Sequence, residues 1–345
     1  MLKDLIHEIG EPCTIILYSM RIGILFIILS WLFISCKKGT NENQIIPRPE
    51  DFNYTNLKGI IAFSRSNGKI IILDGDKETD KTLTLKDGAN IWDASVSLSA
   101  DAGNISYSAL TDEGYQVFKM SVTGSNNLKL TKSLSGFVEH YDCPVWSSGG
   151  DQIFYVANGA ILLGPVYSIK PDGTDLKQIT DFDVYRRISV SSDNSFIVYA
   201  NAPFFPDITQ GIFYYSIQTD SISKIITYDS TYTAYSPVLS PDDKKVAFVL
   251  RHGFNEQGTS PSFFRIMTIN LDGTDEKIVK ELPMVRYVID TYVTWSPDGT
   301  MLAFNYGGAL NGDQGSHIFI INSDGTGLTQ VTNNTDFDNA PSWVK

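Results

Sequence analysis

One short unit, returning along the chain, constrains the fold more than any other feature. At 295–304 the sequence runs Trp-Ser-Pro-Asp-Gly-Thr-Met-Leu-Ala-Phe. Proline presets φ at the first central turn position and glycine accepts the left-handed position, so Pro-Asp-Gly closes a tight turn. The apolar run behind it has the brevity of a buried strand. Decayed copies begin at Leu98, Trp146, Val190 and Leu239, each followed by Ser and ahead of its own apolar run. A unit repeating about every 45–55 residues predicts a radial or linear array of like modules.

Each unit carries a second hairpin. Ile-Ile-Asn-Ser-Asp-Gly-Thr at 320–326 has partners at 168–174 and 268–274, with weaker copies around Gly75, Gly124 and 214–227. Asp-Gly between two β-rich runs is a strong short-range hairpin signal. A repeat is therefore four antiparallel strands, a to d, which is one propeller blade. No stretch of the expected mature chain has the period of a long amphipathic helix, so the predicted class is all-β.

Second hairpins number six in this reading and complete first hairpins five. The chain ends Ala-Pro-Ser-Trp-Val-Lys at 340–345, the opening of a strand a with nothing behind it. Gly-Ile-Ile-Ala-Phe at 59–63 matches a strand b with no strand a before it. The two fragments complete each other. The expectation is a six-bladed β-propeller closed by pairing the C-terminal strand with the N-terminal blade, which leaves no sheet edge exposed. A linear solenoid would instead need capping repeats at its ends.

These motifs resemble the WD40-like PD40 repeats of the TolB β-propeller family, across residues 57–345 and most specifically at 238–304 and 317–332. The resemblance implies a binding scaffold. TolB proteins carry an extra α/β domain ahead of the propeller, to which nothing in this sequence corresponds, so the likeness is one of repeats. Function does not follow from fold alone.

The N-terminus reads as a targeting segment. Arg21 precedes an apolar run at 22–35, short for a bilayer span but suited to a signal-peptide core. Phe-Ile-Ser-Cys at 33–36 resembles a bacterial lipobox, with Phe33 where leucine is usual. The expected domains are a lipoprotein signal peptide at 1–35, a lipidated Cys36 with a flexible tether to 56, and the propeller at 57–345. Residues 1–19 hold Asp4, Glu8 and Glu11, unlike a signal n-region, so Met20 is a candidate true start. The tether reaches at most about 70 Å, at ~3.5 Å per residue. The expected location is the bacterial cell envelope, lipid-anchored at the outer membrane, with the periplasmic or surface side left open. Cys143 remains as one thiol in the body, so no disulfide is expected there.

The formal net charge of −12 disfavours nucleic acid as a partner. Blade strands alternate direction, so short a–b and c–d turns share one face and the long, varied b–c and d–a loops share the other. Long loops on a rigid scaffold usually carry recognition. Asp93, Asp142, Asp290 and Asp338 stand four or five residues ahead of their strand-a anchors on that face. They either rim the channel mouth, where they would hold a structural cation or a basic group, or cap their own turns. Tyr232, Tyr235, Tyr287, Tyr292 and Tyr306, with Phe204, Phe205, Tyr228 and Phe254, are the aromatic candidates for stacking on sugars or anchoring a protein. Such rings can equally pack on the blade tops. His140, His252 and His317 fall in the third, fifth and sixth blades, too spread for a ready metal site.

No nucleophile elbow, His-Glu-x-x-His or phosphate loop is present. No catalytic residue and no cofactor is therefore expected. The expected function is a monomeric, lipid-anchored, non-catalytic scaffold that binds an envelope protein or glycan through its long-loop face. The alternative is a propeller-fold polysaccharide lyase or hydrolase using channel-mouth carboxylates. Glycoside hydrolysis would need two carboxyls at about 5–9.5 Å.

Overall fold

A computed structural model describes residues 14–15, 34–35, 52–66, 68–85, 96–132, 140–158, 163–201, 210–252, 263–283, 291–307 and 315–345. The chain divides into two compact units, Met1–Pro49 and Glu50–Lys345. In the first, Thr14–Ile15 pairs antiparallel with Ile34–Ser35. The segment expected to be a signal peptide and Cys36 otherwise lie outside the described residues. Among the described residues no helix is long and apolar enough to cross a membrane.

The second unit is an all-β propeller of six antiparallel blades. Blade 1 joins Asp338–Val344, Ile60–Arg65, Lys69–Asp74 and Thr79–Thr84 in that order, and blade 2 runs from Val96–Leu98 to Leu128–Lys129. Blade 3 opens on His140–Trp146, blade 4 on Val184–Val190, blade 5 on Tyr232–Leu239 and blade 6 on Val293–Trp295. Each of these first strands packs on the first strand of the next blade all the way round, so together they surround the axis. Buried apolar residues fill the spaces between neighbouring blades, as where Ala247, Val249 and Phe264 of blade 5 meet Trp295, Phe304 and Phe319 of blade 6.

The repeated sequence signal is explained by one hydroxyl. In the first turn of blades 2, 4, 5 and 6, Ser99, Ser191, Ser240 and Ser296 donate to Asp101, Asp193, Asp242 and Asp298 at 2.6–2.8 Å. Each serine oxygen also accepts the backbone N–H five residues on, from Asn104, Phe196, Lys245 and Met301, at 2.9–3.0 Å. Both ends of the turn are thus tied by side chains that local sequence specifies. In the second turns Asp172, Asp272 and Asp324 accept from both the N–H and the hydroxyl of Thr174, Thr274 and Thr326.

Closure is as the two half-blades predict. Trp343 lies opposite Ile61, Ser342 opposite Ala62 and Val344 opposite Ile60. The Trp343 indole N–H donates to the Lys58 carbonyl, and Ser342 Oγ accepts the Leu98 N–H of blade 2 at 3.0 Å. At Gly59 φ is +70°, and a Cβ there would collide with the Val344 carbonyl, so the join requires glycine. The chain packs onto the body from Phe52, which bridges to Thr332, and Leu57 is buried between blades 6 and 1.

Blade 4 has a feature the repeat does not foretell. Leu163–Gly164, from the connection inside blade 3, adds to the axial edge of Val184–Val190 as a fifth strand.

Candidate functional site

Inner strands reach the long-loop face at their N-terminal ends, and there they bulge. In blade 3 the register steps from Asp142 opposite Val156 to Val145 opposite Phe154, one extra residue on the inner strand. Blade 5 does the same between Tyr235 and Val238, and the closing strand between Asn339 and Ser342. The residue carrying the left-handed turn is Cys143, Ser236 or Ala340, with φ of 55°, 54° and 51°. Proline follows each, at a position where the ladder is interrupted and its missing N–H is tolerated.

Blade 4 departs from this pattern. Its register steps from Tyr185 opposite Ala200 to Ile188 opposite Tyr199, so three residues are matched against one and two are extra. The extra residues are Arg186, with φ of 57°, and Arg187. Arg186 lies 5.3 Å from the centre of the Tyr185 ring and close to Tyr292 of blade 6. The Arg187 guanidinium stands 5.5 Å from the centre of the Tyr292 ring. Cys143 lies close to both arginines and Asp142 close to Arg187. Burial presses Arg187 below the usual guanidinium range. Burial also pushes the Tyr235 hydroxyl of blade 5 well up, against the opposing charges of Arg251 and Arg186. Residues of four blades thus meet around two arginines at the long-loop end of the axis.

Two of the four aspartates proposed from sequence, Asp142 and Asp338, are described, and each is bound within its own surroundings. Asp338 is 0% exposed, and both its oxygens are taken by Arg65, at 2.6 Å from Nε and 3.0 Å from Nη2. Asn334 Nδ2 adds a bond of 2.9 Å. This carboxylate fastens the closing strand. Asp142 accepts the N–H of its neighbour Cys143 at 2.6 Å, which is the turn-capping role. Asp93 and Asp290 lie outside the described residues, as do Tyr287, Phe204, Phe205 and Phe254.

Of the remaining tyrosines, Tyr306 is 1% exposed and its hydroxyl donates to the Pro283 carbonyl. Tyr235 and Tyr292 are buried, whereas Tyr232 is half-buried. It begins a row across blade 5: Tyr232 lies opposite His252, His252 opposite Phe263, and Phe263 opposite Pro283. The first two rings are 4.7 Å apart, and His252 stacks on Phe263 at 4.8 Å and 11°. Arg265 stands over the Phe263 ring at 4.1 Å, held by Glu281 at 2.8 Å. The other histidines have separate surroundings: His140 packs on Tyr115 of blade 2 and His317 is buried in blade 6. Among the described residues no three His, Cys, Asp or Glu side chains are grouped to hold a metal ion. A shallow groove of about 610 Å³ beside Lys119, Leu128, Lys170 and Asp172 lies on the opposite, short-turn side.

Sequence reasoning missed Arg186 and Arg187. A usable signal was their place: they occupy the inner-strand bulge where blades 3, 5 and 1 have Cys-Pro, Ser-Pro and Ala-Pro.

No protein-family model and no curated protein matches the chain. Its structure superposes on that of TolB from Acinetobacter baumannii with a TM-score of 0.65 and 18% identity, covering 83% of this chain and 66% of that one. The chain has a β-propeller fold like that of TolB. It spans just under two thirds of that TolB's length. A putative TolB from Agrobacterium tumefaciens follows at 0.51 and 17%, over 66% of this chain and 82% of that one. A chain of the nidogen/laminin complex aligns at 0.60 and 12%, over 82% and 97%. At such identities the likeness defines the TolB-like fold and leaves the site to be read from its own residues.

Proposed function

We propose that this TolB-like propeller is a non-catalytic, lipid-anchored scaffold of the bacterial cell envelope, binding a protein or glycan partner through its long-loop face. The observation that carries the reading is the row of half-buried Tyr232, His252 and Phe263, ending on exposed Pro283, on the rigid sheet of blade 5. Stacked rings held by four paired strands lose little freedom on binding, and their faces suit sugar rings or the prolines and aromatics of a protein. The same fold occurs in a complex between nidogen and laminin, which supports a protein partner. A lyase or hydrolase gains no support from the two described candidate carboxylates, since Asp338 is bound to Arg65 and Asp142 to its own turn.

The test is capture of envelope proteins and glycans by the full chain, set against a Tyr232→Ala/Phe263→Ala variant of matched melting temperature. The scaffold reading expects a specific partner that the double variant no longer holds. Undiminished capture by the variant, or polysaccharide cleavage abolished by Asp142→Asn, would overturn it.

A further inference from the structure

The row on blade 5 continues along the sheet past its rings. On the third strand Phe263, Arg265 and Met267 lie opposite Pro283, Glu281 and Ile278. Alternation puts these pairs on one side of the sheet, the side that Tyr232 and His252 share. Tyr228 of blade 4 borders the strip: its ring lies 5.8 Å from that of Tyr232, and its hydroxyl donates to Glu276 at 2.5 Å. The Arg265 side chain is 24% exposed and that of Glu281 52%. Among the described residues the guanidinium makes one hydrogen bond, from Nε to Glu281. Its two Nη groups and the second oxygen of Glu281 face solvent chemistry beside the rings. The repeat does not demand such a pair, because blade 4 sets Gly211 opposite Thr227 at the same distance from its own outer bulge.

We infer that this strip binds a neutral glycan, stacked on Tyr232 and Phe263 and hydrogen-bonded through neighbouring hydroxyls to Arg265 and Glu281. The inference rests on the reading of the row as the binding surface and adds the class of ligand. Sugars and prolines both suit the rings, and the ion pair separates them. A sugar sets a C–H face against an aromatic ring and carries hydroxyls at its rim, each a donor and an acceptor. Adjacent hydroxyls accept from the Arg265 Nη fork and donate to Glu281 together. A proline segment has carbonyl acceptors and no N–H. It would cover Glu281 with nothing to donate to it, and a covered carboxylate without a donor is costly. Glu276 and Glu281, both exposed, would repel an acidic sugar. Three strands at ~4.8 Å spacing set Tyr232 and Phe263 about 10 Å apart, so the strip suits a chain of sugars over a single ring.

The experiment is titration of the full chain, in detergent, with cellotetraose, maltotetraose, mannotetraose and N-acetylchitotetraose, with tetragalacturonate and with a polyproline peptide, read by calorimetry. Saturable binding of at least one neutral tetrasaccharide is expected, tighter than that of its own monosaccharide. Arg265→Met should weaken it at least about tenfold, as loss of a charged hydrogen bond does. The melting temperature should change little, since an exposed ion pair contributes little to stability. Glu281→Gln keeps the shape of the side chain and should weaken binding as well, which covers the case of a poorly folded Arg265→Met. Absence of saturable binding by every neutral tetrasaccharide, equal or tighter binding of tetragalacturonate, or undiminished affinity in both variants would each overturn the inference. Polyproline bound in place of the glycans, and released by Tyr232→Ala/Phe263→Ala, overturns the inference and leaves the scaffold reading standing. A glycan bound equally well by Tyr232→Ala/Phe263→Ala overturns both.

Discussion

Arg65 grips both oxygens of Asp338 across 273 positions of sequence. The two residues also lie opposite each other in the ladder, so ion pair and strand pairing fasten the same join. Phe52 and Phe63 stand over the guanidinium at 5.3 and 5.8 Å. Asp338→Ala leaves a buried cation behind and should cost about 3–5 kcal/mol, whereas Arg65→Met/Asp338→Leu should recover most of that loss. Denaturant midpoints of the single and double variants check this.

Acid should loosen the turns before it loosens the core. Hydroxyl and backbone donors hold Asp101, Asp242 and Asp298 below the usual carboxylate range, and Asp193, bonded first to Ser195, is held at about 2. Thr174, Thr274 and Thr326 do the same for Asp172, Asp272 and Asp324. A depressed folded pKa stabilises the fold above the unfolded value of about 4 and ceases to do so as pH falls through the folded value. Stability measured by urea should therefore decline between about pH 4 and pH 2. Asp193→Asn should be less stable at neutral pH and show a shallower decline over that interval.

Tyr306 belongs to the scaffold. Its hydroxyl joins blade 6 to Pro283 at the end of blade 5. Tyr306→Phe should lower stability by about 1 kcal/mol, the worth of one hydrogen bond. Partner capture should be unchanged, which the capture assay reads.

Short-range chemistry was legible in the sequence, and long-range pairing only where it left a matched remainder. Ser-x-Asp and Asp-Gly-Thr encode turns within a few residues, so their repetition exposed blade and order alike. Closure was readable because Trp343 ends half a hairpin that Ile61 begins. Asp338 was visible as an acid of the long-loop face, but its partner Arg65 lies at the far end of the body, and no local pattern links them. The arginine cluster was hidden for another reason. Its bulge turns on Arg186 in the left-handed region without glycine, and two residues of insertion shift blade 4 out of step with its neighbours. The added strand Leu163–Gly164 is too short to show an alternation.

Circular closure underlies every placement on the long-loop face. Its most direct test is an Ile60→Cys/Val344→Cys variant, since these half-buried positions face each other at the join and paired strands bring Cα atoms within disulfide reach. Closure predicts a disulfide within one chain on mild oxidation, seen as a mobility shift on non-reducing gels and accompanied by a higher melting temperature. Crosslinks only between chains, or none at all, would contradict it.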